Sequence, residues 1–156
     1  MIEGVKLTFL RIIEDDRGSV RHMLRSDAPH FQGFGEIYFS EVKAGVVKAW
    51  HYHKRMGLSY ACVAGEVIVG LVDLRPNSPT LGEKETYILR AEGSAYRLLT
   101  IPPKVWNGFR IPIGSGFKSA MMANCASLPH DPDEIVREQI GALPIEIDWG
   151  PYEIAG

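Results

Sequence analysis

The sequence predicts an all-β domain, a sandwich or barrel of short strands. Three observations carry that expectation. Apolar residues alternate with polar ones over runs of five to eight residues, and turn signals recur about every 8–12 residues. Gly and Pro make up 26 of the 156 residues, a share that suits a turn-rich β architecture better than a helical one. The length and the 46% apolar content suffice for a core, so positions 1–156 are expected to form a single domain.

The elements follow in order. Met1-Ile2-Glu3-Gly4-Val5-Lys6-Leu7 alternates, and Glu3 comes too early for a signal peptide. Glu36 through Val42 alternates as a strand, Lys43-Ala44-Gly45 turns, and Val46 through His53 follows as the next strand. Ser59–Val63 and Glu66–Val72 flank Ala64-Gly65 and read as a hairpin. Arg75 through Gly82 is a loop rich in Pro, Asn, Ser and Gly. Thr86–Leu89 and Tyr96–Ile101 are two further strands, the second stopped by Pro102-Pro103, which has no N–H for a ladder. Trp106–Ile111 and Phe117–Cys125 complete the strands. Asp131-Pro132-Asp133-Glu134 has the form of a helix start, an Asp cap with proline and acids in the first turn, so a short C-terminal helical segment is expected.

Composition excludes several classes of partner. Seventeen Lys and Arg face nineteen Asp and Glu, for a net charge of −2, and no long basic block offers a footprint for nucleic acid or an anionic membrane. No apolar run is long enough for a membrane helix. Cys62 and Cys125 lie in apolar strings without CxxC spacing and read as free thiols of a reducing compartment. A cytoplasmic protein is expected.

The chemistry centres on histidine. His22 and His30 lie in polar surroundings and read as surface residues. His51 and His53 are two apart on one strand and point to one face. Two imidazoles so placed can share a metal, serve as base and partner, or simply stand as polar residues at a barrel mouth. Gly45, five residues, His51-Tyr52-His53, eleven residues and Gly65 resemble the first motif of the cupin superfamily. Its glutamate would stand near position 58, where the sequence has Gly57-Leu58. The second motif resembles Pro102 through Asn107, with Asn107 in the place of its histidine. Two of four metal ligands are missing, so no metal is expected.

A closer resemblance covers about residues 14–149. Asp16-Arg17-Gly18, Gly45 through Tyr52, Gly65-Glu66-Val67, Asp73-Leu74-Arg75 with Ser78-Pro79-Thr80, and Ile101-Pro102-Pro103 with Gly108-Phe109 together are similar to the dTDP-4-dehydrorhamnose 3,5-epimerase family. The resemblance implies a cupin-type double-stranded β-helix, a jelly-roll barrel that is usually dimeric. It implies a nucleotide-linked 4-keto-6-deoxy sugar as substrate and no cofactor.

Carried over position by position, the family's base histidine falls on His51 and the basic residue three positions earlier on Lys48. Its Gln, Asn and Ser trio falls on Glu36, Tyr38 and Ser40, and its lysine on Leu58. Its second histidine falls on Asn107, and the tyrosine that protonates the opposite sugar face falls on His130 in Pro129-His130-Asp131-Pro132. The aspartate partner of the base usually lies in a C-terminal extension that this chain is expected to lack. The catalytic candidates are thus His51 and His130 from the resemblance and His53 from its place beside His51 on one strand face. Arg17, Tyr38, Ser40, Lys48, Arg75 and Asn107 are the candidates for substrate binding; for Arg17 and Arg75 an ordinary salt bridge is the other reading.

Four functions follow. The first is a nucleotide-sugar isomerase that epimerises C3 and/or C5 of a dTDP-4-keto-6-deoxyhexose. The second is a sugar 3,4-ketoisomerase, whose HxHK run His51-Tyr52-His53-Lys54 resembles. A non-catalytic sugar-nucleotide-binding cupin and a metal-dependent cupin enzyme complete the set. A homodimer is expected, paired through the alternating Val5-Leu7-Phe9 strand, whose unpaired edge a second copy would cover.

Overall fold

The computed structural model describes residues 1–153; the last three positions of the expected 1–156 domain lie outside them. The described residues form strands and two single 3-10 turns. One five-stranded sheet has the order β1 (Lys6–Phe9), β9 (Arg97–Ile101), β6 (Leu58–Ala64), β11 (Ser119–Ala126), β4 (Glu36–Lys43). The second has the order β12 (Ile135–Arg137), β5 (Val47–His53), β10 (Trp106–Arg110), β7 (Glu66–Val72), β8 (Lys84–Arg90). A separate hairpin joins β2 (Ile12–Asp15) to β3 (Gly18–Arg21). All strand pairs are antiparallel. From β4 onward the chain changes sheet at each turn except between β7 and β8, which is the jelly-roll path of a cupin barrel.

Between the sheets lies a core that includes Val42, Leu58, Cys62, Val67, Val69, Leu71, Leu99, Ile101 and Met122. A second cluster lies around Trp50, Trp106 and Trp149, covered by Leu143, Ile145 and Ile147 of the C-terminal segment. The indole of Trp149 sits where any side chain on Gly70 would be, 2.7 Å from the position of a Cβ. That glycine lets the C-terminal segment lie flat on β7.

Two sequence expectations are corrected. Ala64-Gly65 is a turn but not a hairpin, because β6 and β7 belong to different sheets. Gly65 has φ +77, and a Cβ there would meet the Ser119 carbonyl at 2.9 Å. The turn is therefore a corner packed against β11. Among the described residues the C-terminal helical segment is reduced to a single 3-10 turn. Asp131 caps as expected, accepting from the Asp133 amide, but the turn spans only Pro132–Glu134. Ile135–Arg137 then pairs with β5, and that ladder overrides the local helix signal.

Candidate active site

The barrel mouth opens into a cavity of about 1020 Å³. On β4 the polar residues Glu36, Tyr38 and Ser40 line it, while Ile37 and Phe39 between them face outward and are exposed. That arrangement inverts the usual burial of apolar groups. A strand that turns polar groups inward is furnishing a site.

Strand β5 supplies the centre. Lys48, His51 and His53 all line the cavity, although Lys48 and His51 are three apart and should point to opposite faces. A bulge resolves this. His51 pairs with Asn107 and Lys48 with Phe109, so Ala49 and Trp50 together oppose Gly108. A Cβ on Gly108 would lie 2.4 Å from that of Ala49, so glycine is needed opposite the bulge.

The groups differ in their bonding. Lys48 Nζ donates to Ser40 Oγ at 2.8 Å and lies 5.9 Å from the Phe109 ring centroid. Burial in the wall lowers the Lys48 pKa, with Glu41 opposing the shift. Asn124 Nδ2 donates to the Tyr38 hydroxyl at 2.9 Å, so that hydroxyl keeps its own hydrogen for a ligand. Asn124 is held in turn by the Ser59 amide at its Oδ1. Burial raises the Tyr38 pKa, keeping it a donor. His51 and His53 meet edge to face with ring centroids 5.7 Å apart. Burial, then the neighbouring His53 and Arg137, push His51 down to about 3. His51 is a neutral imidazole at physiological pH.

His53 is 5% exposed, and its Nδ1 lies 2.7 Å from Glu134 Oε2. The other oxygen of Glu134 accepts from the amides of Arg55 at 2.6 Å and Met56 at 2.7 Å. Burial opposes the charge on Glu134, but those amides and His53 outweigh it and hold its pKa below the ordinary value. Tyr60, on the cavity wall, donates to Asn107 Oδ1 at 3.1 Å. Exposed His130 and Arg137 line the opening.

Not every sequence candidate reaches the cavity. His51, His53, His130, Tyr38, Ser40 and Lys48 come together on its wall. Asn107 lies one layer beneath, fully buried, with its carboxamide given to Tyr60, the His51 carbonyl and the Val105 carbonyl. Arg17 sits at the tip of the β2–β3 hairpin, paired with Asp15 at 2.7 Å. Arg75 is bonded to Asp73, which also accepts from Ser78 and Thr80, and this network shapes the 73–80 loop. Neither arginine lines the cavity. The described residues bring no three His, Cys, Asp or Glu side chains into a metal-holding group. Sequence reasoning missed Glu134, Asn124, Tyr60 and Arg137. Of these only Asn124 left a trace, as an amide inside the apolar string Met121 through Ala126.

The family model described as dTDP-4-dehydrorhamnose 3,5-epimerase matches residues 1–149. The chain belongs to this family. It is 34% identical over 138 residues to the spore coat polysaccharide biosynthesis protein SpsL of Bacillus subtilis, covering 86% of this chain and 87% of that one. It is 29% identical over 141 residues to a probable low-salt glycan biosynthesis epimerase of Haloferax volcanii, covering 89% and 87%. Among solved structures, the dTDP sugar isomerase of Desulfovibrio desulfuricans superposes with a TM-score of 0.86 at 43% identity, over 93% of this chain and 91% of that one. Family membership agrees with the cupin barrel. It also places the chain among epimerases and isomerases of dTDP-linked sugars.

Proposed function

We propose that this protein is an isomerase of a dTDP-linked 4-keto-6-deoxyhexose that epimerises C3 and/or C5 through an enolate. One observation carries the reading. The ring of His51, a neutral imidazole, has no hydrogen-bond partner among the described residues and faces the same cavity as a lysine and a hydroxyl donor. Removing a hydrogen α to a ketone needs such a base together with donors for the oxygen that becomes negative. His51 takes the proton, and the Tyr38 hydroxyl and Lys48 steady the enolate oxygen. His130 at the rim returns a proton from the other side of the sugar. With Arg17 and Arg75 paired elsewhere and Lys48 given to the enolate, Arg137 is the cavity cation left for the diphosphate.

A 3,4-ketoisomerase is the second reading, favoured by the close approach of His51 and His53 on one wall. Such a pair suits proton transfer between adjacent carbons. The protein is proposed to work as a homodimer in the cytoplasm. Cys62 and Cys125 are both free, and no helix among the described residues is long and apolar enough to cross a membrane.

The deciding experiment incubates the protein with dTDP-4-keto-6-deoxyglucose in D₂O and follows the ring protons by NMR. Exchange at C3 or C5 with inverted configuration supports epimerisation. A carbonyl moved to C3 supports the second reading. Binding without any exchange overturns both and leaves a sugar-nucleotide-binding protein.

A further inference from the structure

Glu134 has no part in the chemistry proposed above, yet its placement calls for an explanation. A carboxylate that is only 3% exposed persists when its oxygens are fully bonded. The backbone fixes it at the end of β5, because Ile135 pairs with His53 and the Lys54 amide donates to the Glu134 carbonyl at 2.9 Å. Both amides of the following turn, Arg55 and Met56, are satisfied by one oxygen, Oε1. Stabilising that turn therefore needs only half of the carboxylate. The other half is given to a histidine ring.

That gift has a chemical consequence. An ionised carboxylate only accepts, so the hydrogen between Glu134 Oε2 and His53 Nδ1 belongs to the ring. A neutral ring with its hydrogen on Nδ1 has a lone pair on Nε2. This second nitrogen has no hydrogen-bond partner among the described residues, and it is not sealed from solvent. His53 is on the cavity wall.

We propose that Glu134 is a positioning residue that locks His53 in the Nδ1–H tautomer with its bare Nε2 open to the cavity, making His53 a second proton-transfer group beside His51. This rests on the isomerase reading. In the step assigned to His53, the C–H bond α to the ketone breaks and an N–H bond forms on Nε2. The electron pair of the C–H bond becomes part of the enolate, whose oxygen takes the negative charge. On return the N–H bond breaks, a C–H bond forms, and the protein is left unchanged. The imidazolium formed in between lies against the Glu134 carboxylate, which compensates its charge. His51 has no such partner, so the two histidines are not equivalent.

The test uses the whole chain labelled with ¹⁵N-histidine, whose long-range ¹H–¹⁵N spectra distinguish the tautomers. Wild type is expected to show His53 protonated at Nδ1. In Glu134→Gln the amide oxygen must stay on the Arg55 and Met56 amides, so its NH₂ faces Nδ1 and the ring hydrogen moves to Nε2. With dTDP-4-keto-6-deoxyglucose, exchange at the ring carbon served by His53 should then fall about 100-fold or more, while exchange at the carbon served by His51 persists and KM changes little. Glu134→Asp keeps a carboxylate and should recover the Nδ1–H tautomer and part of the rate.

A wild-type His53 protonated at Nε2 overturns the proposal. So does a folded Glu134→Gln that keeps both tautomer and rate. If Glu134→Gln fails to fold, the wild-type spectrum and the aspartate variant decide. A wild type that exchanges no ring proton overturns the isomerase reading and with it the proton transfer by His53, while the spectra still decide whether Glu134 sets the tautomer.

Discussion

Asn107 Nδ2 donates to the backbone carbonyl of its cross-strand partner His51 at 3.2 Å. The residue at the histidine position of the proline-turn motif thus supports the strand that bears the proposed base, from behind. Its oxygen is occupied by the Tyr60 hydroxyl, and its burial is complete. A side chain so committed cannot turn to ligate an ion in the cavity. Purified protein is therefore expected to carry no stoichiometric transition metal, and chelation should leave proton exchange unchanged. Elemental analysis that finds about one equivalent of zinc, iron, manganese or nickel, lost on replacing His51 and His53, would refute this.

Replacing His51 by Asn keeps hydrogen-bonding capacity but removes basicity. A general base contributes about 10²–10⁴-fold, so exchange at the ring carbon that His51 serves should collapse by that factor. Binding of the nucleotide sugar, followed by calorimetry, should survive. Wild-type exchange in the variant would return His51 to a packing or binding role.

The depressed pKa of His51 also makes stability depend on pH. The unfolded chain protonates this ring below about 6.5 and the folded chain only near about 3. Between those values the unfolded state binds more protons, so the contribution of His51 is complete above pH 6.5 and declines as pH falls toward 3. Denaturation midpoints of wild type should drop over that window more steeply than those of His51→Asn. Parallel curves would show that the ring titrates normally when folded.

Among the strands between residues 36 and 126, Glu36–Val42 was legible because alternation reports burial, whereas Glu66–Val72, buried on both faces, was legible as a short apolar run bounded by turn signals. The β2–β3 hairpin was not. Its residues are largely exposed on both faces, Ile13 and Val20 included, so no burial pattern marks it. Asp131 and Pro132 are a genuine local start signal, but capping chemistry reaches one turn and cannot foresee the pairing of Ile135–Arg137 with β5. The same limit governed the site. His51 and His53 stood out by their spacing, and the bulge opposite Gly108 that brings Lys48 beside them follows from the ladder register. Glu134 lies 81 residues from His53. Nothing local could have joined them.

Leu58 occupies the position of the family's lysine, and restoring that cation would be the obvious attempt to improve catalysis. The structure argues otherwise. Leu58 is 2% exposed and packs in the main core, opposite Ile101 in the ladder, and does not line the cavity. An ammonium there would be buried without a partner, at a cost of about 3–5 kcal/mol. Leu58→Lys is expected to lower the Tm sharply with no gain in exchange. An unchanged Tm with faster exchange would mean that the side chain reaches the substrate after all.

The outward face of β4 points to the assembly. Ile37 and Phe39 are 51% and 61% exposed on a strand that ends its sheet, and Phe9, 74% exposed, lies on β1 at the opposite end. An unpaired sheet edge with apolar side chains is a template for another chain, and two-fold pairing of identical copies covers both at once. Light scattering at micromolar concentration should give twice the 17.4 kDa chain mass. The variants separate the two edges. Phe9→Glu should dissociate a dimer built on the N-terminal strand, whereas Ile37→Lys with Phe39→Glu should dissociate one built on β4. Each should keep the far-UV spectrum of wild type, because these side chains contribute little to the core. A wild-type mass near 17.4 kDa would leave both edges solvated and defeat the expectation; a dimer insensitive to either substitution would place the interface elsewhere on the barrel.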